Sequence, residues 1–244
     1  MKENKIWNDY LPEDMQEHWT VYECLKESED SSTFLVKETA TGILCVLKWG
    51  RNRQTEFLRN EMEIMKKMAD RKLSGIPKAY RIFEENGEVY LVREYIEGMS
   101  LAQMVLQKGG ISEAEICRIS RKICQTAEQF QNPDEPMIHR DIKPENIVVT
   151  PGGEVVFIDF GTMRSYKKDG SHDTFVVGTR GTAAPEQYGY TQTDQRTDVY
   201  AIGQTMLYMV SESYEMNQLS ECAVSRRMKK IIEKACSVSY THLT

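Results

Sequence analysis

The residues best suited to chemistry lie in one charged stretch between two apolar segments, Ile138-His139-Arg140-Asp141-Ile142-Lys143-Pro144-Glu145-Asn146. Pro144 prevents this stretch from forming a regular helix. Eighteen residues after Asp141, the triplet Asp159-Phe160-Gly161 ends an apolar run. This combination of acids, cations and an amide predicts a centre for phosphoryl transfer.

Each of these side chains has a chemical use at such a centre. Asn146 and Asp159 supply a neutral and an anionic oxygen, and a small number of hard oxygen ligands suits Mg²⁺. Asp141 could accept a hydroxyl proton, and Lys143 could steady a transferring phosphoryl group. Positioning and charge neutralisation carry most of the rate in such reactions. Alone, each residue fits a solvated surface equally well, so the prediction depends on their ordered combination.

A hairpin is expected to position the two oxygen ligands. Two short apolar runs, 147–149 and 155–158, are joined by Thr150-Pro151-Gly152-Gly153, a strong turn sequence. Asn146 leads into the first strand and Asp159 leaves the second. We therefore expect Asn146 and Asp159 to lie close together.

A second expected pair lies earlier in the chain. Strands 34–36 and 43–47 flank a turn at Thr41-Gly42, and the second strand ends at Lys48. Residues 55–69 have helical periodicity, and Glu61 falls within the apolar stripe. A buried carboxylate needs a cation, and Lys48 is the best candidate. Alternatively Glu61 lies at the edge of the stripe and reaches water; periodicity alone favours neither.

The remaining elements are predicted from apolar spacing and capping signals. Residues 1–19 form a short segment packed against the domain, and strands follow at 80–83 and 89–92. Capping pairs predict two helices, and a near-apolar helix from Thr197 should be central. The capping pairs are Ser100 with Gln103 and Ser112 with Glu115. In the last helix, the side chains expected to point inward are Met228, Ile231, Ile232 and Ala235.

Composition narrows the class of protein. The 244 residues carry 40% apolar and 28% charged side chains, which is typical of a globular protein. The formal charge of −6 argues against a nucleic-acid partner. No apolar run approaches the roughly 18 residues of a membrane span, and the polar N-terminus is no signal peptide. Six cysteines form no C-x-x-C pair; Cys117 and Cys124, seven apart on one helix face, are interpreted as reduced core residues. We therefore expect a cytoplasmic protein.

The chain resembles the eukaryotic-type (Hanks-type) serine/threonine protein kinases, which also occur in bacteria. Its motifs follow the order of that family. Lys143-Pro144-Glu145 is similar to the serine/threonine rather than the tyrosine kinases. The matching segments are Val46-Leu47-Lys48, Glu61, Glu94-Tyr95-Ile96, residues 139–146, Asp159-Phe160-Gly161, Gly178-Thr179 with Ala184-Pro185-Glu186, and Asp198-Val199-Tyr200.

The resemblance implies an α+β, two-lobed fold: a small antiparallel sheet lobe with one main helix, and a larger, mainly helical lobe that is incomplete at its C-terminus. The implied boundaries are an N-terminal extension at 1–19, an N-lobe at 20–93, a hinge at 94–98 and a truncated C-lobe at 99–238. Residues 239–244 are interpreted as a non-native tail.

The resemblance also implies the substrates and the role of each site residue. ATP, Mg²⁺ and a protein substrate are expected, with Asp141 as base and Lys143 on the transferring phosphate. The remaining roles are a Lys48–Glu61 grip on ATP, hinge contacts from Glu94 and Ile96, Mg²⁺ at Asn146 and Asp159, Thr179 beside Asp141, and activation-loop phosphorylation at Thr174 or Ser171.

One departure from the family motivates an alternative function. The glycine-rich loop should fall near residues 26–32, which contain three acids and no glycine. Glycine lets the backbone approach phosphates, and acids would repel them. The alternative is a pseudokinase-like nucleotide-binding or scaffold protein with weak or no transfer activity. Arg93 replaces the apolar residue common before the hinge; it lines the nucleotide pocket or pairs with an acid such as Glu61 or Asp159.

Overall fold

The computed structural model describes residues 11–131, 135–166, 181–188 and 193–237. The chain divides into two compact units. The first comprises Met1–Lys72 and Pro77–Ile96, and the second comprises Leu73–Ile76 and Glu97–Thr244. Strands dominate the first unit and helices the second, which confirms the predicted α+β class.

The first unit is a five-stranded antiparallel sheet with two helices. The strand order is β1-β2-β3-β5-β4, and each neighbouring pair is antiparallel. The predicted hairpin turns are present, and Asn86 and Gly87 between β4 and β5 both have positive φ, at 50° and 82°. The elements are α1 Glu13–Gln16, β1 Trp19–Glu27, β2 Ser31–Glu38, β3 Leu44–Gly50, α2 Gln54–Asp70, β4 Ala79–Glu85 and β5 Glu88–Glu94.

The two faces of this sheet bury different partners. On one face Leu11, Met15 and Trp19 join a core built from alternate strand residues, which confirms for residues 11–19 that the N-terminal segment packs against the domain. The other face meets α2, and a Cβ at Gly50 would lie 3.0 Å from the Leu58 side chain. Because side chains alternate along a strand, Lys48 shares the α2 side of β3 with Gly50.

The second unit combines helices with two small sheets. Its sheets are β6-β8-β9 and β7-β10. Ser100 forms a complete capping box with Gln103, whereas Ser112 only accepts the Glu115 N–H. The elements are β6 Met99–Ser100, α3 Leu101–Lys108, α4 Glu113–Glu128, β7 Met137–Ile138, β8 Ile147–Val149, β9 Val155–Phe157, β10 Arg164–Ser165, α5 Gln195–Ser211 and α6 Arg226–Ala235, with one-turn 3-10 helices at Pro144–Asn146, Pro185–Tyr188 and Met216–Ser220.

Helix α5 is buried along most of its length, as its apolar sequence predicts. Helix α6 packs closely on it at Gly203, where an added Cβ would lie 2.7 Å from the Ala235 Cβ and 2.8 Å from the Cys236 Sγ. A contact this short leaves no room for a side chain at position 203. The glycine therefore sets how closely α6 packs on the central helix.

Two burial predictions are wrong. Cys117 and Cys124 are exposed on α4, because the buried stripe of that helix runs through Ile116, Ile119 and Ile123 beside them. Ile231 is 46% exposed, because only Met228 and Ile232 of α6 turn fully inward. All six cysteines are free thiols. Within the described ranges, no helix has both the length and the apolar character that crossing a membrane requires.

Candidate active site

The predicted pair in the first unit is present. Lys48 Nζ donates to both carboxylate oxygens of Glu61, each at 2.8 Å. The side chains are 11% and 1% exposed, so the alternative in which Glu61 reaches water is wrong. A buried bidentate pair holds the ammonium of Lys48 in one place on the α2 side of β3.

The turn without glycine, residues 26–32, has an ordinary backbone. None of these residues has a positive φ, so the turn has no position that requires glycine. Asp30 Oδ1 accepts from Arg51 Nε at 3.1 Å and from Asn52 Nδ2 at 2.9 Å. Arg51 also donates to the Glu29 carbonyl at 2.9 Å. One of the three acids is therefore paired with a cation at the end of β3.

The hinge segment is tied to the start of β4. The Glu94 N–H donates to the Lys78 carbonyl at 2.8 Å, and the Glu94 carboxylate accepts the Lys78 N–H at 2.9 Å. Arg93 is buried, and its Nη1 donates to the Glu94 carbonyl at 2.9 Å, a contact that neither sequence alternative specified. That carbonyl keeps a second lone pair for another donor. Ile96, the last residue of the first unit, is half-buried.

In the second unit, Asp141 is held by two neighbours in sequence. Lys143 Nζ lies 2.8 Å from Asp141 Oδ2 and 3.0 Å from Oδ1. Asn146 Nδ2 donates to Oδ2 at 2.7 Å and to the Asp141 carbonyl at 3.0 Å. The Asp141 and Lys143 side chains remain 13% and 15% exposed. The carboxylate is thus fixed in orientation but still reachable by a substrate.

The predicted hairpin places Asn146 opposite Ile158, the residue before Asp159. Strands β8 and β9 pair Ile147 with Phe157, and the Ile158 N–H donates to the Asn146 carbonyl at 3.0 Å. Because Asn146 Nδ2 is used by Asp141, its Oδ1 is the atom available to a cation. No three His, Cys, Asp or Glu side chains of the described residues cluster as a metal site. An amide oxygen and the Asp159 carboxylate fit Mg²⁺, which takes few protein ligands and keeps its waters.

His139 lies in an aromatic core and not at the reacting surface. It is fully buried, with ring centroids 5.2 Å from Phe157, 5.4 Å from Phe160 and 6.1 Å from Phe130. Burial lowers its pKa to about 4, although the Asp141 and Asp159 carboxylates act in the opposite direction. The imidazole is therefore neutral at pH 7 and serves as part of the core. Because full burial keeps His139 from a substrate, Asp141 is the candidate base.

The charged loop, residues 138–146, is anchored by Asp198 in the first turn of α5. Its two carboxylate oxygens accept the N–H groups of His139 and Arg140, each at 2.9 Å. Burial raises the pKa of this carboxyl to about 6, against the lowering effect of the two N–H donors. The sequence did not predict these contacts. The one signal for them was an acid in the first turn of a helix that is otherwise nearly apolar.

Thr162 provides a second anchor that no sequence pattern indicated. Its hydroxyl donates to the His139 carbonyl at 3.0 Å, and its own carbonyl accepts from Arg140 Nε at 2.7 Å. The loop preceding Asp141 is therefore fixed both from α5 and from the segment after Gly161. Thr179, Thr174 and Ser171 lie outside the described residues.

Comparison with known proteins gives the family. The model of the protein kinase domain matches residues 20–242. A probable serine/threonine-protein kinase of Clostridium perfringens is 35% identical over 60% of this chain and 21% of its own length. Serine/threonine-protein kinase D of Synechocystis is 32% identical over 74% of this chain and 38% of its own length. The serine/threonine-protein kinase cds1 of Schizosaccharomyces pombe is 28% identical over 69% of this chain and 37% of its own length.

The chain thus spans between about a fifth and two fifths of the length of these relatives. The family match covers most of the chain and includes the loop around Asp141, the Asp159 triplet and the Lys48–Glu61 pair. By these residues and this match, the chain belongs to the protein kinase family.

Proposed function

We propose that this chain is an ATP-dependent protein kinase that transfers the γ-phosphate of Mg-ATP to serine and threonine hydroxyls of proteins. The observation that carries the proposal is the Asp141 carboxylate, held by Lys143 and Asn146 at no more than 3.0 Å yet still partly exposed. Relatives named as serine/threonine-protein kinases support the choice of acceptor. Lys143-Pro144-Glu145 supports it from the sequence.

In this proposal the residues of the second unit act on the acceptor and the transferring group. Asp141 accepts the proton of the substrate hydroxyl, and Lys143 neutralises charge on the γ-phosphate. Asn146 Oδ1 and the Asp159 carboxylate hold Mg²⁺, which supplies charge neutralisation when bound. Thr179 is proposed to contact Asp141 and Lys143.

The residues of the first unit bind ATP in this proposal. Lys48, held by Glu61, grips the inner phosphates, and the backbone of Glu94 and Ile96 contacts adenine. The Asp30–Arg51 contact supports ATP use by the turn without glycine, because it neutralises one acid there. The pseudokinase-like alternative gains no support, since every charged position of the site is present.

The test is phosphate transfer by the purified chain. Labelled Mg-ATP and a mixed protein substrate are expected to give labelled phosphoserine and phosphothreonine, with a loss of about 10²–10⁴-fold in Asp141→Asn. Thermal stabilisation by Mg-ATP should persist in Asp141→Asn, because that variant keeps Lys48 and Asp159. A wild-type chain that is stabilised by Mg-ATP but transfers no phosphate would favour the scaffold alternative.

Regulation and location complete the proposal. Phosphorylation at Thr174 or Ser171 is proposed to order the activation segment through Arg140. Phosphopeptide mapping of the wild type, Thr174→Ala and Ser171→Ala tests this. A cytoplasmic location and the absence of a nucleic-acid partner are proposed from the free thiols and the net charge of −6.

A further inference from the structure

The side chain of Gln187 bridges two segments of the second unit. Gln187 lies in the 3-10 helix Pro185–Tyr188, and only 3% of the residue is exposed. Its Nε2 donates to the Arg140 carbonyl at 2.6 Å, and its Oε1 accepts the Ala184 N–H at 2.9 Å. One buried amide thus connects the segment ending at Glu186 to the residue directly before Asp141.

The Arg140 backbone needs such support. Its φ is +67°, in the left-handed region that residues other than glycine rarely adopt, and a strained conformation persists only where its surroundings fix it. Asp198 accepts the Arg140 N–H, and Gln187 donates to the Arg140 carbonyl. That carbonyl belongs to the peptide unit shared with Asp141. Rotation of this unit would turn the Asp141 side chain away from its partners.

We propose that Gln187 is a positioning residue, which fixes the Asp141 carboxylate through the Arg140 carbonyl and so couples the segment 181–188 to the loop 138–146. The inference rests on the proposed kinase activity, of which it names a further determinant. An amide suits this task because it donates at one end and accepts at the other. Neither a carboxylate nor an apolar side chain can make both contacts.

The primary test is Gln187→Met, which keeps the length of the side chain and removes both hydrogen bonds. We expect kcat to fall about 10- to 100-fold, because small misplacements of a reacting group have effects of this size, while KM for Mg-ATP changes less than about threefold. Gln187→Glu, assayed at pH 8, serves as a second variant that keeps the acceptor for Ala184 and lacks the amide donor to Arg140.

Gln204 offers a matched control in the same unit. It is also 3% exposed, and its Nε2 donates to the Tyr200 hydroxyl at 3.1 Å, a contact within α5. Gln204→Met and Gln204→Glu should lower thermal stability but leave kcat per folded molecule unchanged. Equal losses of kcat at both positions, or none at Gln187, would overturn the proposal.

Hydrogen exchange gives a readout that needs no activity. The amide hydrogen of Asp141, which belongs to the peptide unit whose carbonyl accepts from Gln187, should exchange about tenfold faster in Gln187→Met than in the wild type, and at the wild-type rate in Gln204→Met. Unchanged exchange in the Gln187 variants refutes the positioning role, whatever the activity. A wild-type chain without transfer refutes the kinase proposal instead, and the exchange rates still decide the role of Gln187.

Discussion

The buried Lys48–Glu61 pair makes a quantitative prediction about stability. Glu61 is 1% exposed and Lys48 11%, so Glu61→Gln removes a carboxylate charge that the Lys48 ammonium contacts away from water. Breaking a buried pair in this way costs about 3–5 kcal/mol, and we expect about 3 because Lys48 keeps some access to solvent. For a chain of this size the melting temperature should fall by about 6–12 °C.

Removing both charges should have a different result. In Lys48→Met with Glu61→Leu, apolar side chains replace the pair between β3 and α2, and such replacements are often neutral or stabilising. In the cycle closed by the single variants Lys48→Met and Glu61→Leu, the double variant should therefore lose much less stability than the two single variants lose together, and no more than either one alone. It should not bind or transfer the phosphates of ATP, because the ammonium is gone.

Urea unfolding followed by tryptophan fluorescence suits this test, because Trp19 and Trp49, the two tryptophans among the described residues, both belong to the first unit. The matched control is Glu84→Gln. Its partner Arg59 binds at 2.7 and 2.8 Å, as short as the buried pair, but both side chains are about half exposed and water screens them. The unfolding midpoint of Glu84→Gln should equal that of the wild type. Equal losses in Glu61→Gln and Glu84→Gln, or additive losses in the double variant, would refute the argument from burial.

Three further predictions concern the second unit. Burial lowers the pKa of His139 from 6.5 to about 4, so the unfolded chain binds the additional proton as the pH falls from 6.5 to 4. Relative to His139→Phe, the wild type should lose about 3 kcal/mol between pH 7 and pH 4 in urea unfolding, and a difference independent of pH would contradict this. Gly203→Ala should destabilise by about 1–2 kcal/mol, because the clash with α6 exceeds the gain in helix propensity of about 1 kcal/mol; a higher melting temperature would show that α6 can move. Ser100→Ala should cost about 1 kcal/mol and more than Ser112→Ala, since only Ser100 has the reciprocal box, and equal unfolding midpoints would contradict that reason.

Local patterns predicted the elements and part of the site. The hairpin that places Asn146 beside Ile158 depends on a turn and two short apolar runs, all within a few residues. Helical periodicity placed Glu61 in a buried stripe but could not choose between water and Lys48, since that contact depends on how α2 packs on the sheet. The family resemblance supplied what the spacing could not.

The sequence failed where a polar group meets a distant partner. Three acids in the turn 26–32 suggested repulsion of phosphate, but no pattern indicated that one of them, Asp30, pairs with Arg51, which lies opposite it where β3 ends beside the start of β2. The contact of Gln187 with Arg140 joins residues 47 positions apart and leaves no periodic pattern. Cys117 and Cys124 share one helix face as predicted, but the apolar stripe beside them is the one that the fold buries.

The contact between Asp30 and Arg51 gives the first unit a dependence on ionic strength. Both side chains are more than 40% exposed, so added salt screens their attraction, whereas the Lys48–Glu61 pair is shielded from the same ions. High salt should therefore weaken the attraction between Asp30 and Arg51 and expose the negative charge of Asp30, while the lysine stays in place. Salt concentration is thus a variable that separates the charge of the turn 26–32 from loss of the buried ion pair, without any substitution in the chain.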